Sequence, residues 1–176
     1  DKFVHEEAIN RFLDKLVEES DTSLYPFSSD VFREHFRHTF WLLPGVKEAA
    51  ALEQLLRKHD IFGEENGMFH IINAAGDGNI EDKNGSALAD VLDNIRGNAK
   101  KNMTKKDYTI TLSCGKLTTG VSVPEWTAVL CMKGSENTPA ANYMQTIFRV
   151  QTHAVLEGRQ KSDCYVFDFA PDRALT

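Results

Sequence analysis

The chain opens with apolar residues at three- and four-residue spacing: Phe3, Val4, Ala8, Ile9, Phe12, Leu13, Leu16 and Val17. That spacing gathers them on one face of a helix. Ser20-Asp21-Thr22-Ser23 and Pro26 break the pattern. Val31, Phe32 and Phe36 predict a second, shorter helix. Residues 1–36 are read as a helical lead-in or linker ahead of a main domain, 37–176. From about residue 38 the rhythm changes. Thr39-Phe40-Trp41-Leu42-Leu43 is a short apolar run ended by Pro44-Gly45, the pattern of a buried strand and a turn. Val46 to His59 carries Ala50, Leu52, Leu55 and Leu56 among charges, which predicts a helix. Met68 to Asn73 predicts a second strand, closed by Gly76-Asp77-Gly78. Ser86 fits a helix N-cap before the stripe Leu88, Val91, Leu92 and Ile95. Tyr108 to Leu112, Trp126 to Met132 and Tyr165 to Phe169 predict three more strands, and Pro139 to Val150 a helix.

Strands and helices thus mostly alternate, and the strands are continuously apolar. A strand apolar on both sides is buried on both faces, which means a mostly parallel sheet with helices covering each side. The expected fold class is therefore α/β. In such sheets ligands sit at the carboxyl ends of the strands. The sequence puts Gly76-Asp77-Gly78, Thr118-Thr119-Gly120 and Asp168 there.

Charge narrows the choice of partner. Lys and Arg number 20 against 26 Asp and Glu, a formal net charge of −6, so no global positive field captures nucleic acid. Arg96, Lys100, Lys101, Lys105, Lys106 and Lys116 form one local basic stretch, either a solvated face or a phosphate-tracking surface. No apolar run approaches the roughly 20 residues that span a bilayer, and no apolar leader is seen. Cys114, Cys131 and Cys164 are spaced too widely for a CxxC site and read as reduced thiols of a cytoplasmic protein. The first residue is Asp1, so a processed product or a fragment is expected.

A self-contained nucleotide site is missing. A P-loop needs GxxxxGK[ST], so that backbone N–H groups and a lysine surround the phosphates. Gly115-Lys116 is followed by Leu117 and lacks the upstream glycine, and no GxGxxG occurs. His35 and His38 are three apart, but no third or fourth metal ligand lies nearby, so no metal site is expected. Asp168 and Asp172 read as a strand-end turn, with paired carboxylates the sharper alternative.

Two segments carry more. Leu117 to Pro124 follows a strand and precedes another, and alone reads as a tight connection with Gly120 supplying the unusual φ. Gln145 and Arg149 are four apart and share a helix face, with Ala140, Met144, Ile147 and Phe148 on the core stripe. Alone they read as a surface polar pair.

Together, in this order, the two segments resemble the second RecA-like lobe of superfamily 2 helicases and translocases. The motor (R or Res) subunits of type I and type III restriction enzymes are the nearest pattern. Thr119-Gly120-Val121-Ser122-Val123-Pro124 is similar to the family's Thr-Gly-x-Asp-x-Pro motif, and Gln145 and Arg149 to the start of its Gln-x-x-x-Arg-x-x-Arg motif. The resemblance covers residues 36–172. Ser122 stands where most relatives carry Asp, and Thr152 where they carry the second arginine, with Arg159 a nearby substitute. The resemblance implies a RecA-like sheet and ATP with Mg²⁺ shared with a first motor lobe that holds most of both. Arg149 and Gln145 then face the nucleotide as the catalytic pair, and Thr119, Gly120 and Ser122 line it. Duplex DNA meets Thr118, Thr119 and Lys116. It also implies nuclease and methyltransferase or specificity partners, and an ATP-hydrolysing DNA translocase that is inactive as this piece alone. A non-catalytic RecA-like interaction module and a compact α/β enzyme using Asp77 and Asp168 are the competing readings.

Overall fold

A computed structural model describes residues 6–18, 27–63, 67–75, 84–114, 123–132, 155–156, 159–160 and 165–168. Helices α1 (Glu6–Val17) and α2 (Asp30–His35) lead into strand β1 (His38–Leu42). Then follow α3 (Val46–Lys58), β2 (His70–Asn73), α4 (Asn84–Arg96), a 3₁₀ turn (Ala99–Lys101), β3 (Thr109–Ser113) and β4 (Ala128–Cys131). A short antiparallel pair, β5 (Val155–Leu156) and β6 (Arg159–Gln160), precedes β7 (Tyr165–Asp168). The main sheet has five strands in the order β2-β3-β1-β4-β7, and each of its four pairings is parallel. The α/β, mostly parallel architecture read from the continuous apolar runs is the one found.

Register sorts the strand side chains between two faces, because residues paired across parallel strands point the same way. Trp41 pairs with Leu112 and Leu130, and Thr39 with Ile110 and Ala128. These lie under α3, whose Ala49, Leu52, Leu55 and Leu56 are buried in the same apolar cluster. Phe40 pairs with Thr111 and Val129, on the opposite face. There Phe40, Leu42, Ile72 and Val129 cluster with Val91 and Ile95 of α4 and with Trp126. Successive crossover helices therefore cover opposite faces of the sheet, and every position of β3 is buried.

The amphipathic stripe of α1 joins the first of these clusters. Leu13 and Leu16 are wholly buried among the α3 and sheet residues. Phe27 then inserts between Trp41 (ring centroids 6.0 Å), Phe62 (5.1 Å) and Phe69 (5.4 Å), the last two edge-on. Such ring pairs add roughly 0.5–1.5 kcal/mol each beyond their buried area.

Some boundaries differ from expectation. α4 starts at Asn84, so Ser86 lies inside its first turn and is not the cap. Asp82, Asn84 and Ser86 are all of capping type, and type alone does not select among them. Met68 is outside β2 and 38% exposed, and Trp126 precedes β4 in a turn closed by its N–H donating to the Val123 carbonyl (3.1 Å). The β5–β6 pair was missed because strands of two residues leave no alternation to read. The expected helix over 139–150 lies outside the described residues.

On the α4 face, β3 aligns three hydroxyls, Thr109, Thr111 and Ser113, all at 0% exposure. Thr109 Oγ1 pairs with His38, while Thr111 Oγ1 and Ser113 Oγ have no hydrogen-bond partner among the described residues. A buried hydroxyl without a partner costs about 1–3 kcal/mol. Thr111→Val keeps the branched shape and removes the hydroxyl, so it is expected to stabilise the fold by about 1 kcal/mol. Leu52→Ala, under the other face, is expected to destabilise it by about 2–5 kcal/mol. Urea unfolding midpoints measure both. A lower midpoint for Thr111→Val means that its hydroxyl has a partner after all.

Candidate functional site

Strand order locates the crevice. The chain leaves β1 through α3 toward β2, on one side, and leaves β4 toward β7, on the other. Connections diverging from adjacent strands open a gap at the carboxyl edge, between β1 and β4. That rim is well defined. Leu43 N–H donates to the Ser113 carbonyl (2.7 Å), Ala74 N–H to that of Leu112 (2.8 Å) and Met132 N–H to that of Leu42 (2.9 Å), carrying the ladder one residue past each strand.

The exit of β2 is locked to α3. Asn73 Nδ2 donates to Glu53 Oε2 (2.8 Å), and Asn73 Oδ1 accepts the Ala75 N–H (3.0 Å). Arg57 holds the other Glu53 oxygen through Nε (3.2 Å) and Nη2 (3.0 Å) and reaches the Ile71 carbonyl (3.3 Å). Cys114 Sγ, just past β3, donates to the Ala75 carbonyl at 3.7 Å, linking the two exits. Ala74 and Ala75 are buried, so this part of the rim is lined by backbone.

α3 starts at the same edge, from Gly45, which gives it no side-chain cap. A Cβ on Gly45 would lie 2.6 Å from Glu48 Oε2. The Glu48 carboxylate therefore sits over the first turn, where negative charge complements the helix dipole.

The residues expected to carry chemistry, Lys116, Thr118, Thr119, Gly120, Ser122, Gln145 and Arg149, lie outside the described residues, as do Thr152, Asp77, Asp172 and Cys164. Their flanks are placed. Cys114 stands at the carboxyl edge, Val123 is buried beside Trp126 in the α4-side cluster, and Met132 leaves β4 at the crevice. Asp168 ends β7 in register with Cys131, and Arg159 lies in β6. Cys114 and Cys131 are half-buried thiols.

The part of the basic stretch from Arg96 to Lys106 belongs to the other end of the sheet. Residues 96–107 join the end of α4 to the start of β3, at the amino edge. Arg96 grips Glu125 through Nε (2.5 Å) and Nη2 (3.1 Å), and Lys101 Nζ donates to Asp93 Oδ2 (2.6 Å). The Asp93 carboxyl is lowered by its bonds from Lys101 and Asn98, and Lys101 is raised in return. Burial acts to raise the Glu125 carboxyl, but its bond from Arg96 helps to bring it below the ordinary value.

His38 starts β1 at this edge with Nδ1 2.9 Å from Thr109 Oγ1, and burial lowers its pKa to about 4. His35 is exposed at the end of α2. Among the described residues no three His, Cys, Asp or Glu side chains converge as metal ligands would. A further His was missed. His59 Nε2 lies 2.9 Å from Asp14 Oδ1, while its Nδ1 accepts the Ile61 N–H (3.2 Å). In neutral His59 the proton is therefore on Nε2, and both nitrogens are taken, so the pair ties α3 to α1 and leaves no nitrogen for a substrate. It borders a cavity of ≈440 Å³ between α1 and the end of α3. Partners 45 residues apart leave no local sequence signal.

No protein-family model matches the chain, and no solved structure does. It is similar to a protein of Mycoplasma pneumoniae that bears the name of the C-terminus of a type II restriction enzyme and methyltransferase. Identity is 34% over 176 residues, covering 99% of this chain. The chain spans only 23% of that protein's length. No helix among the described residues is long and apolar enough to cross a membrane.

His38 makes stability depend on pH in a definite direction. Its folded pKa, about 4, is below the unfolded 6.5, so the unfolded chain binds the proton more tightly. Its contribution is full above pH 6.5 and is lost as pH falls from 6.5 toward 4. Between pH 7 and 4.5 the wild-type chain is expected to lose about 2–3 kcal/mol through this group, and His38→Gln to lack that share. Urea titrations at the two pH values measure the difference. Parallel losses in both proteins would exclude His38 as the source.

Proposed function

We propose that the chain is a segment of a DNA restriction enzyme and, within it, the second RecA-like lobe of an ATP-driven DNA translocase. The restriction half rests on the 34% identity, along 99% of the chain, to the protein named for restriction and methylation. That name specifies type II, whereas the motif resemblance pointed to type I or type III motors, so the proposal leaves the type open.

The motor half is supported by motif order on a parallel sheet. Thr119 to Pro124 follow β3, and Gln145 and Arg149 fall between β4 and β7. Both connections leave from the carboxyl edge of the sheet, where α/β ligand crevices open. On this reading ATP and Mg²⁺ are held chiefly by a first lobe elsewhere in the parent protein. Arg149 contributes a guanidinium toward the terminal phosphate, where negative charge develops. Gln145, four residues earlier in the helix expected from the sequence, supplies an amide on the same face. Thr118, Thr119 and Lys116 contact the DNA backbone, and Thr119, Gly120 and Ser122 line the nucleotide. Nuclease and methyltransferase modules complete the enzyme.

Two measurements test the motor half. The isolated chain is expected to show no micromolar ATP binding by calorimetry, because its sequence contains no P-loop motif. In the full-length parent, Arg149→Ala is expected to lower DNA-stimulated ATPase by about 10³-fold or more, as loss of a transition-state arginine does. Arg159→Ala is expected to matter less. If Arg149→Ala stays active while Arg159→Ala is dead, the finger lies downstream. If both hydrolyse ATP normally, this lobe is not a motor of this type.

A further inference from the structure

The cavity of ≈440 Å³ beside the His59–Asp14 pair lies between two fixed walls. One is a face of α1, where Glu6, Asn10, Asp14 and Val17 follow at helical spacing beside the buried Leu13 and Leu16. The other is the end of α3 and the turn after it, with Leu55, Lys58, His59, Asp60 and Ile61. Backbone bonds hold that turn. His59 N–H donates to the Leu56 carbonyl (3.2 Å), Gly63 N–H to that of His59 (2.7 Å) and Met68 N–H to that of Ile61 (3.0 Å). A Cβ on Gly63 would lie 2.5 Å from the carbonyl oxygens of Arg57 and His59, so the chain folds back this closely only with glycine there. The His59–Asp14 bond joins the two walls, and filling the space between them orders little more of the protein.

The chemistry of an occupant follows from the lining. Three carboxylates, Glu6, Asp14 and Asp60, stand against one ammonium, Lys58. Asp14 is engaged by His59 through one oxygen, while Glu6 and Asp60 have no hydrogen-bond or ion-pair partner among the described residues. The groove also lies at the carboxyl end of α3, where the helix dipole is negative. Both features favour a positive charge. Val17, Leu55 and Ile61 add an apolar surface, from which a small hydrated cation gains nothing. An arginine uses both parts. Its methylene stem packs on the apolar residues, and its planar guanidinium directs donors to several sides, toward Glu6 on one wall and Asp60 on the other. Asn10 adds an amide oxygen as a further acceptor. The volume lies within the roughly 300–1,000 Å³ of ordinary ligand pockets, room for one anchoring side chain and parts of its neighbours.

We propose that this groove docks an arginine side chain presented by a protein segment, at the end of α3 and away from the crevice at the carboxyl edge. The assignment rests on the groove alone and is independent of the restriction and motor readings.

The test is an NMR titration of the ¹⁵N-labelled 176-residue chain with the acetylated, amidated tripeptide leucine-arginine-leucine. The amide signals of Asn10, Val17, Lys58 and Ile61 are expected to shift together and to saturate in the millimolar range, as suits a single anchor. The same peptide with citrulline, which keeps the shape and loses the charge, is expected to bind about fivefold or more weakly. So is the arginine peptide to Glu6→Gln/Asp60→Asn. The control Glu7→Gln/Asp90→Asn makes the same charge change outside the groove and is expected to stay within about twofold of wild type. Equal binding of the arginine and citrulline peptides overturns the proposal, and this arm needs no variant. So does equal weakening in both variants, since net charge alone would account for it, or shifts that are absent or centred elsewhere. Spermidine binding the groove more tightly than the peptide overturns it in favour of a small polyamine. Neither nucleotide nor DNA enters these measurements, so a failed Arg149 test leaves the groove standing, and the reverse also holds.

Discussion

A sheet buried on both faces leaves only its edges for function. β1 lies at the centre, flanked by β3 and β4, with Trp41 wholly buried under one face and Phe40 under the other. Trp41 satisfies its own indole N–H within the strand, by donating to Thr39 Oγ1 at 2.9 Å. That bond lets the largest side chain of the strand stay in an apolar layer without a buried unpaired donor. Both sheet faces are then taken up by helices, α3 and α1 on one and α4 on the other. Ligand chemistry is displaced to the carboxyl rim, and loops that turn back toward the next strand gather at the amino rim.

The two rims differ in what they hold. Among the described residues of the carboxyl rim the polar groups are largely spent on the protein itself, through Asn73, Glu53 and Arg57, and the Glu48 carboxylate reaches back toward Gly45 at the start of α3. These interactions hold the exits of β2 and β3 steady and provide little charge for a ligand. At the amino rim several of the groups are ionic: Arg96 with Glu125, Lys101 with Asp93, and Arg37 with Glu34 at 2.5 Å. The exposed members of such pairs contribute little to stability. Their effect is positional, since Asp93 holds Asn98 and Lys101 and so shapes the loop between α4 and β3.

Legibility followed periodicity. Short runs rich in apolar and β-branched residues identified β1, β2, β3, β4 and β7 within a residue or two, because a strand buried on both sides carries few charged positions, and the buried polar residues of β3 are small Thr and Ser. The stripes of α1, α3 and α4 were as clear, since each packs one face. What escaped was long-range or very short. His59 meets Asp14 only through the packing of α1 on α3, and His38 meets Thr109 across 71 residues. The two-residue strands β5 and β6 carry no period at all. The candidate catalytic residues were named from motif spacing, a signal independent of packing. Gln145 and Arg149 lie between β4 and β7, and Thr119 and Ser122 between β3 and β4, in the connections that follow two strands adjacent to β1.

Strand order also constrains how such a lobe can use its basic residues. The stretch read from sequence as one surface is divided by β3, since Lys100 to Lys106 precede that strand and Lys116 follows it. A strand of five residues rises by roughly 16 Å, so its two ends cannot serve one phosphate. Phosphates spaced along a duplex can meet both ends, and an isolated anion cannot. The division therefore favours an extended ligand over a compact one for any role in which both groups take part.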